Sequence, residues 1–371
     1  MKRMATIGFA LGAVITLGGS AEADIKMGIT GPITGPSADF GAQLKSGAEQ
    51  AVEDINAAGG ILGQKIVLNY GDDVADPKEG RSIANKFADD GVKFVIGPYN
   101  SGVTMSSSES YRNNGIVMIT PSASNPRITE QGLWNVFRTC GRDDQQVAVA
   151  GNYILTKFKG KKVAIVNDKT NFGYGLAEGT KKALNKGGMN EVLFEGVNLG
   201  EKTYSALISK IKASGAELIF WGGLDTDAAL IVRQMRDQRI KAPLMSGDGI
   251  ATDEFASIGG PAVEGTLMTF QPDPRKRPEA ATVVKKLRDK KFEPKGYTLY
   301  SYAAVEIIKQ AAEQAKSLDP KKVADVIHSG KRFKTVIGEL SYDKNGDVTR
   351  PDYVMYVWKR QPDGKITYVE E

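Results

Sequence analysis

Residues 94–102 have the sequence Phe94-Val95-Ile96-Gly97-Pro98-Tyr99-Asn100-Ser101-Gly102, in which a strand, a turn and the start of a helix follow one another. The apolar run Phe94–Ile96 is typical of a short strand that is buried on both faces. Gly97 and Pro98 mark a turn, and the serine after them suits the first turn of a helix. A strand that leads through a turn into a helix is the building unit of an α/β protein with a parallel sheet.

The same order recurs along the chain. We predict strands at residues 25–30, 66–70, 94–96, 117–119, 163–166, 192–194, 218–221, 244–245 and 266–270. We predict helices between them, among others at residues 43–56, 77–89, 204–213 and 228–236. Strands and helices in alternation predict parallel sheets with helices on both faces. The predicted fold class is therefore α/β.

The length of 371 residues favours two domains over one. One set of strand–helix units covers residues 24 to about 142, and a second set covers about 143 to 270. After Pro272-Asp273-Pro274 the pattern changes to a long helix, predicted at residues 302–314, and a strand-rich tail. These last residues could form a third small domain or complete the first two, and the pattern alone leaves both possibilities open.

The N-terminus has the pattern of a secretory signal peptide. Lys2 and Arg3 precede an apolar run over residues 7–17, and Ala21-Glu22-Ala23 has small residues where a signal peptidase cleaves. The run is short for a membrane span, so a retained anchor is the less favoured alternative. We therefore predict that residues 1–23 are removed after Ala23 and that the mature protein is periplasmic.

The composition argues against most enzymes and against nucleic-acid binding. Cys140 is the single cysteine, which excludes an internal disulfide, and with His328 as the single histidine the sequence shows no Ser-His-Asp triad and no cluster with zinc spacing. The formal net charge is only +5, and the densest basic cluster, Arg275-Lys276-Arg277, has no interleaved aromatic residues. We expect a binding protein with no catalytic residues, no cofactor and no metal.

Four turns that follow predicted strands carry the polar residues of a candidate binding site, at residues 94–102, 117–124, 167–175 and 244–249. Open α/β sheets place ligands at such strand ends. The first two turns offer hydroxyls and N–H groups at helix starts, which suit a carboxylate. Asp248, between two glycines in the last turn, suits an ammonium group. The alternative is that the serines only cap helices and that Asp248 is an ordinary turn residue.

Several motifs resemble the branched-chain amino-acid binding proteins that serve ABC importers. They are residues 47–56 followed by Gly59-Gly60-Ile61, Val95-Ile96-Gly97-Pro98, Met118-Ile119-Thr120-Pro121, and Tyr342-Asp343-Lys344-Asn345-Gly346-Asp347. The resemblance runs through the whole mature chain. It implies a type I periplasmic binding protein: two Rossmann-like lobes with parallel sheets, joined by three hinge crossovers.

The resemblance also implies how the chain is divided. Residues 24–142 and 271–350 would form lobe 1, and residues 143–270 and 351–371 would form lobe 2. The lobes would close over the ligand by hinge bending, and membrane permease subunits would recognise the closed form. The protein would act as a monomer and would have no nucleic-acid partner.

The resemblance assigns roles to the turn residues. Ser101 and Ser124 would hold the ligand carboxylate with backbone help near Ala123, and Asp248 would hold the ammonium. The other residues predicted to line the site are Tyr99, Asn100, Ser122, Phe172, Phe40, Leu224 and Tyr297.

Some of these positions differ from the family pattern. Tyr99 stands where a smaller aliphatic residue is usual, Leu224 stands where an aromatic residue occurs, and Asp248 stands where glutamate is common. A bulky Tyr99 favours small ligands such as alanine, valine, proline or γ-aminobutyrate over strictly branched-chain ones. Two alternatives remain: a sensor of the same fold for amides or other small organic solutes, and an exported enzyme.

Overall fold

The computed structural model describes residues 24–350 and 353–371, so the predicted signal peptide lies outside the described residues. The strands are β1 Ile25–Gly31, β2 Ile66–Asp72, β3 Phe94–Ile96, β4 Val117–Thr120, β5 Val136–Arg138, β6 Val163–Asn167, β7 Leu193–Gly196, β8 Leu218–Gly222, β9 Leu244–Ser246, β10 Leu267–Phe270, β11 Phe333–Thr335, β12 Gly338–Leu340, β13 Val354–Arg360 and β14 Ile366–Glu370. The helices are α1 Ala38–Ala57, α2 Pro77–Asp89, α3 Ser101–Asn113, α4 Arg127–Glu130, α5 Asp143–Lys157, α6 Asn171–Lys186, α7 Ser205–Ser214, α8 Asp225–Asp237, α9 Asp253–Gly259, α10 Ala281–Asp289, α11 Thr298–Ala315 and α12 Pro320–His328.

Two large sheets organise these elements. The first sheet has the order β2-β1-β3-β4-β5, and all of its pairs are parallel. The second sheet has the order β14-β13-β10-β9-β8-β6-β7. All pairs from β10 to β7 are parallel, whereas β13 pairs antiparallel with both β10 and β14. The strand order reverses beside β1 in the first sheet and beside β6 in the second. Ligands bind at such switch points in open parallel sheets, at the carboxyl ends of the strands.

The chain passes between the sheets more than once. It leaves the first sheet after β5, builds the second sheet up to β10, and then returns to pack α11 against α1 and α12 against β4. It reaches the second sheet again with β13 and β14. Gly47 lets α11 approach α1 closely, because a Cβ there would lie 2.0 Å from the Thr298 carbonyl oxygen.

The predicted strands and helices are confirmed, with shifts at several ends. β7 begins at Leu193, one residue later than predicted, and α11 begins at Thr298 rather than at 302. The start of α11 was missed because its polar residues are buried; Ser301, for example, donates to the Leu44 carbonyl at 2.6 Å. The short strand β5 was also missed, since it has three residues and ends on the buried Arg138.

Gly97 shapes the turn that was singled out at the start of the sequence. Its φ is +111°, and a Cβ there would lie 2.0 Å from the Thr30 carbonyl oxygen, so only glycine fits. The backbone therefore turns sharply after β3 and directs residues 99–101 toward the second sheet.

In the described parts of the chain, no helix is both long and apolar enough to span a bilayer.

Candidate ligand-binding site

A cavity of about 280 Å³ lies between the carboxyl ends of the two sheets. Its walls are formed by residues that lie next to each of the two sheets. The lining residues are Ala75, Pro77, Tyr99, Asn100, Ser101, Gly102, Val103, Ser122, Ser124, Thr170, Asn171, Phe172, Leu199, Leu224, Asp248 and Tyr297. All of the predicted site residues except Ala123 and Phe40 are therefore brought together around one space.

The first-sheet side of the cavity presents neutral hydroxyls. Ser101 is the first residue of α3, and its Oγ accepts the Asn125 N–H at 3.4 Å. The Ser122 hydroxyl donates to the Tyr99 carbonyl at 3.1 Å. Ser124 follows β4 and is almost fully buried. Hydroxyls together with the free N–H groups and positive end of α3 make this side suitable for a carboxylate.

The second-sheet side presents one buried carboxylate, Asp248, in the turn after β9. Its Oδ1 accepts from Gln146 Nε2 at 3.0 Å, and its Oδ2 accepts from the Tyr297 hydroxyl at 2.6 Å. Burial raises the Asp248 pKa from 3.8 to about 6, although both hydrogen bonds favour the charged form. The carboxylate therefore remains mostly ionised at neutral pH and can hold a cation.

Glycine at position 249 is required by packing around this turn. A Cβ there would lie 2.5 Å from the Gly223 carbonyl oxygen and 2.8 Å from the Phe172 ring. The missing side chain lets Phe172 close against the Asp248 turn and form part of the cavity wall.

Stacked aromatic rings close one end of the cavity. Tyr99 stacks on Phe40 with ring centroids 4.3 Å apart and meets the edge of Tyr297 at 5.6 Å. Burial, followed by the charge of Asp248, raises the pKa of Tyr297 well above its usual value, so its hydroxyl stays protonated and donates to Asp248. Tyr297 thus serves both as an aromatic wall and as a hydrogen-bond donor.

Phe40 and Ala123, the two predicted site residues that do not line the cavity, lie behind its wall. Phe40 is fully buried and supports Tyr99 from behind. The Ala123 N–H donates to Thr120 Oγ1 at 3.0 Å, and its carbonyl accepts from Arg138 Nη1 at 2.8 Å. Ala123 therefore shapes the turn that carries Ser122 and Ser124.

Several residues of the site were missed by sequence reasoning. The lining residues that were not predicted are Ala75, Pro77, Gly102, Val103, Thr170, Asn171 and Leu199. Gly102, Thr170 and Asn171 lie inside turns that the sequence had already marked, so their position was a usable signal. Gln146 was missed for another reason: it lies inside α5, where a glutamine gives no sign that its amide reaches a residue about 100 positions later.

Direct contacts also join the first-sheet and second-sheet sides around the cavity. Asn125 Nδ2 donates to the Asn171 carbonyl at 2.7 Å, and Lys295 forms an ion pair with Asp253 at 2.9 Å. The bond from Tyr297 to Asp248 is a third contact between the two sides. In the described residues, no group of three or more His, Cys, Asp or Glu side chains is placed to hold a metal ion.

Comparison with known proteins identifies the family. The model of the periplasmic binding protein family matches residues 24–365. The chain belongs to the periplasmic binding protein family. It is also 58% identical over 371 residues to the Leu/Ile/Val-binding protein homolog 1 of Brucella melitensis, with 100% of both chains covered. This family consists of solute-binding proteins, and membership implies an exported, periplasmic protein.

Solved structures of periplasmic binding proteins share the fold. The type 1 periplasmic binding protein of Bordetella pertussis has a TM-score of 0.86 at 25% identity, covering 94% of this chain and 100% of that one. The branched-chain amino acid transporter substrate binding protein of Streptococcus pneumoniae, in complex with isoleucine, has a TM-score of 0.82 at 26% identity, covering 94% and 100%. The predicted α/β fold of the type I periplasmic binding proteins is thereby confirmed.

Proposed function

We propose that this periplasmic binding protein captures a small neutral amino acid in the cavity and delivers it to the permease subunits of an ABC importer. The observation that carries the proposal is the opposition of charges across the cavity. Asp248 suits an ammonium group, and the hydroxyls of Ser101 and Ser124 suit a carboxylate. The Brucella relative is named for leucine, isoleucine and valine, and the Streptococcus protein holds isoleucine, which supports the same ligand class.

The aromatic end of the cavity favours the smaller members of that class. Tyr99 is held in place by Phe40 and Tyr297, so it occupies space that an aliphatic residue would leave open. We expect alanine, valine, proline or γ-aminobutyrate to bind more tightly than leucine or isoleucine.

The lobe division is part of the proposal. Residues 24–142 and 271–350 act as lobe 1, and residues 143–270 and 351–371 act as lobe 2. The packing of α11 on α1 supports this division, because it attaches the segment after β10 to the first sheet. The bond from Asn125 to Asn171 and the ion pair from Lys295 to Asp253 then act as closing contacts between the lobes.

A ligand panel tests the proposed function. Thermal unfolding of the mature protein should be measured with the twenty amino acids, γ-aminobutyrate, 3-methylbutanoate and 2-methylpropylamine. The last two compounds are valine without its amine and valine without its carboxylate. At about 100 times the dissociation constant, a true ligand adds about 2.7 kcal/mol to the free energy of unfolding. Stabilisation by valine but by neither analogue supports the proposal, and an unchanged melting temperature across the whole panel overturns it.

Two further parts of the proposal concern the mature protein. We expect cleavage after Ala23, so N-terminal sequencing of the exported protein should begin at Asp24. We expect a monomer, which light scattering during gel filtration would verify with and without the ligand. A stable dimer would contradict the monomer proposal.

A further inference from the structure

The buried side chain of Gln146 lies behind the ligand-binding carboxylate and has a complete set of hydrogen bonds. Its Oε1 accepts the Asp248 N–H at 3.1 Å and the Thr269 hydroxyl at 2.9 Å. Its Nε2 donates to Asp248 Oδ1 at 3.0 Å and to Asp143 Oδ1 at 3.0 Å. One amide group therefore contacts both the backbone and the carboxylate of Asp248.

These bonds fix the orientation of the amide. The Asp248 N–H can only donate, so the atom that faces it must be the amide oxygen. The NH₂ group is then forced toward the two carboxyl groups. A rotation of the amide by 180° would place an N–H against the Asp248 N–H and an oxygen against two carboxyl oxygens.

Gln146 also donates hydrogen bonds to two carboxyl groups, and ionising both of them at once is energetically unfavourable. Asp143 and Asp248 are each almost fully buried and share the same NH₂ group. Two negative charges in such a site repel each other strongly, so the pair takes up protons in two coupled steps. Tyr297 and Gln146 together bond both oxygens of Asp248. Asp143 accepts from Gln146 and also interacts with the Ser124 hydroxyl, but among the described residues its Oδ2 has no partner at hydrogen-bond distance. The bond from Tyr297, which Asp143 lacks, favours the charge on Asp248.

We propose that Gln146 is the positioning residue of the site: it fixes the direction of the Asp248 carboxylate toward the cavity and, together with Tyr297, keeps the negative charge of the Asp143–Asp248 pair on Asp248. Asp143 then serves as the neutral, protonated partner. The consequence for the ligand, which rests on the proposed function, is that the ammonium meets a carboxylate that is charged and aimed before binding.

The pKa values of the two groups agree with this division. Burial, followed by the charge of Asp248, raises the Asp143 pKa to about 8, whereas the Asp248 pKa is raised only to about 6. The larger rise in the pKa of Asp143 agrees with the proton of the pair lying on Asp143.

Other titratable groups surround the pair and must be considered in any pH experiment. Those that interact electrostatically with one or both carboxyls are Tyr99, Tyr297, Tyr353, Cys140, Arg138 and Asp144. Burial raises the pKa of the three tyrosines and of Cys140, so these groups stay neutral near pH 7. Asp225 interacts electrostatically with Tyr99 and has a pKa raised by burial to about 7, so it titrates in the same range. The test must therefore compare variants and assign individual signals.

The test is a carbon-13 NMR titration of the aspartate carboxyl groups in the unliganded protein from pH 4 to pH 9. The signal of Asp248 is assigned as the one lost in Asp248→Asn. In Gln146→Met the side chain keeps nearly the same shape but loses both donors, so we expect the Asp248 midpoint to rise by about one pH unit. Gln146→Glu, which keeps acceptors for the Asp248 N–H and Thr269, should raise it as well and serves if the methionine variant does not fold.

Thr269→Val is the matched control, because it removes a bond to the amide oxygen while leaving both NH₂ contacts in place. We expect its Asp248 midpoint to equal that of the wild type. Calorimetry with L-valine should then show the acid limb of the affinity profile moving with the Asp248 midpoint. An Asp248 midpoint that is the same in the wild type and in both Gln146 variants overturns the proposal. Shifted midpoints without binding of any amino acid would instead reject the proposed function and leave the role of Gln146 standing.

Discussion

The two sides of the cavity recognise charge in different ways. The first-sheet side spreads its polar contacts over several neutral groups in two successive turns, of which Ser101 and Ser124 are the central ones. The second-sheet side depends on a single ionised group, Asp248, which is supported by Gln146 and Tyr297. Binding to several hydroxyls persists when one hydroxyl is removed, whereas no other group can replace a single buried carboxylate. The difference predicts unequal effects of substitution on the two sides.

The largest effect is expected for Asp248→Asn. The substitution removes the charge but nearly keeps the shape, and a ligand ammonium would be left buried without its partner. Breaking such a pair costs about 3 kcal/mol or more, which corresponds to a loss of valine affinity of at least about 100-fold in calorimetry. Asp225→Asn is the control, because Asp225 is equally buried but bonds Thr252 instead of lining the cavity. Equal affinity in wild type and Asp248→Asn would show that the ammonium is held elsewhere.

Ser101→Ala tests the other side. One hydroxyl among several is removed, so we expect about a tenfold loss of affinity, equivalent to about 1.4 kcal/mol. Ser107→Ala is the control on the same helix, since its buried hydroxyl bonds the Val103 carbonyl at 2.8 Å within α3. If Ser101→Ala were as damaging as Asp248→Asn, the contrast between shared and single contacts would be lost.

Tyr99→Leu tests whether the first-sheet side also sets ligand size. Removing the ring opens space next to Phe40, and one added methylene in such a pocket changes binding by about 1 kcal/mol or more. We therefore expect the affinity for leucine and isoleucine to rise about fivefold relative to that for valine. Tyr99→Phe keeps the ring and should keep the wild-type ranking. An unchanged ranking in Tyr99→Leu would remove Tyr99 as the determinant of size.

The smallest effect is expected where the two sides meet outside the cavity. Lys295 pairs with Asp253 there, but both side chains are partly exposed and water weakens the pair. Lys295→Met should lower the affinity for valine by no more than about fivefold, and the difference should shrink in high salt. Lys309→Met, which breaks a pair within α11, is the control. A larger loss would show that closure depends on this contact more than on the buried groups.

The pH dependence of stability follows from the same contrast. The pKa values of Asp143 and Asp248 are raised in the folded protein above those of an unfolded chain. These two groups therefore stabilise the unliganded protein most at acid pH, and that contribution is lost as the pH rises through about 6 and then about 8. Ligand binding runs in the opposite direction, because it needs Asp248 ionised. The ligand-free protein should accordingly have a higher free energy of unfolding at pH 5 than at pH 7, whereas its affinity for valine should be lower at pH 5.

Much of the fold was accessible from the sequence because buried parallel strands leave a local signal. Apolar runs such as Phe94–Ile96 need no information from the rest of the chain to be recognised. The polar turns were accessible for the same reason, since Ser101, Ser124 and Asp248 come only a few residues after such runs. The start of α11 was not, because its polar residues are buried only through their contacts with α1.

The sequence by itself determined the strand–helix order, the turns that carry the polar groups, and the resemblance to a family of binding proteins. The tertiary structure decided which of those groups act together. Tyr297 and Gln146 reach Asp248 from segments that lie 49 and 102 residues away, because the chain passes between the sheets and packs α5 and α11 beside the same turn. Hydrogen bonds act over about 3 Å, and no local pattern in a chain encodes a contact of that range between such distant positions.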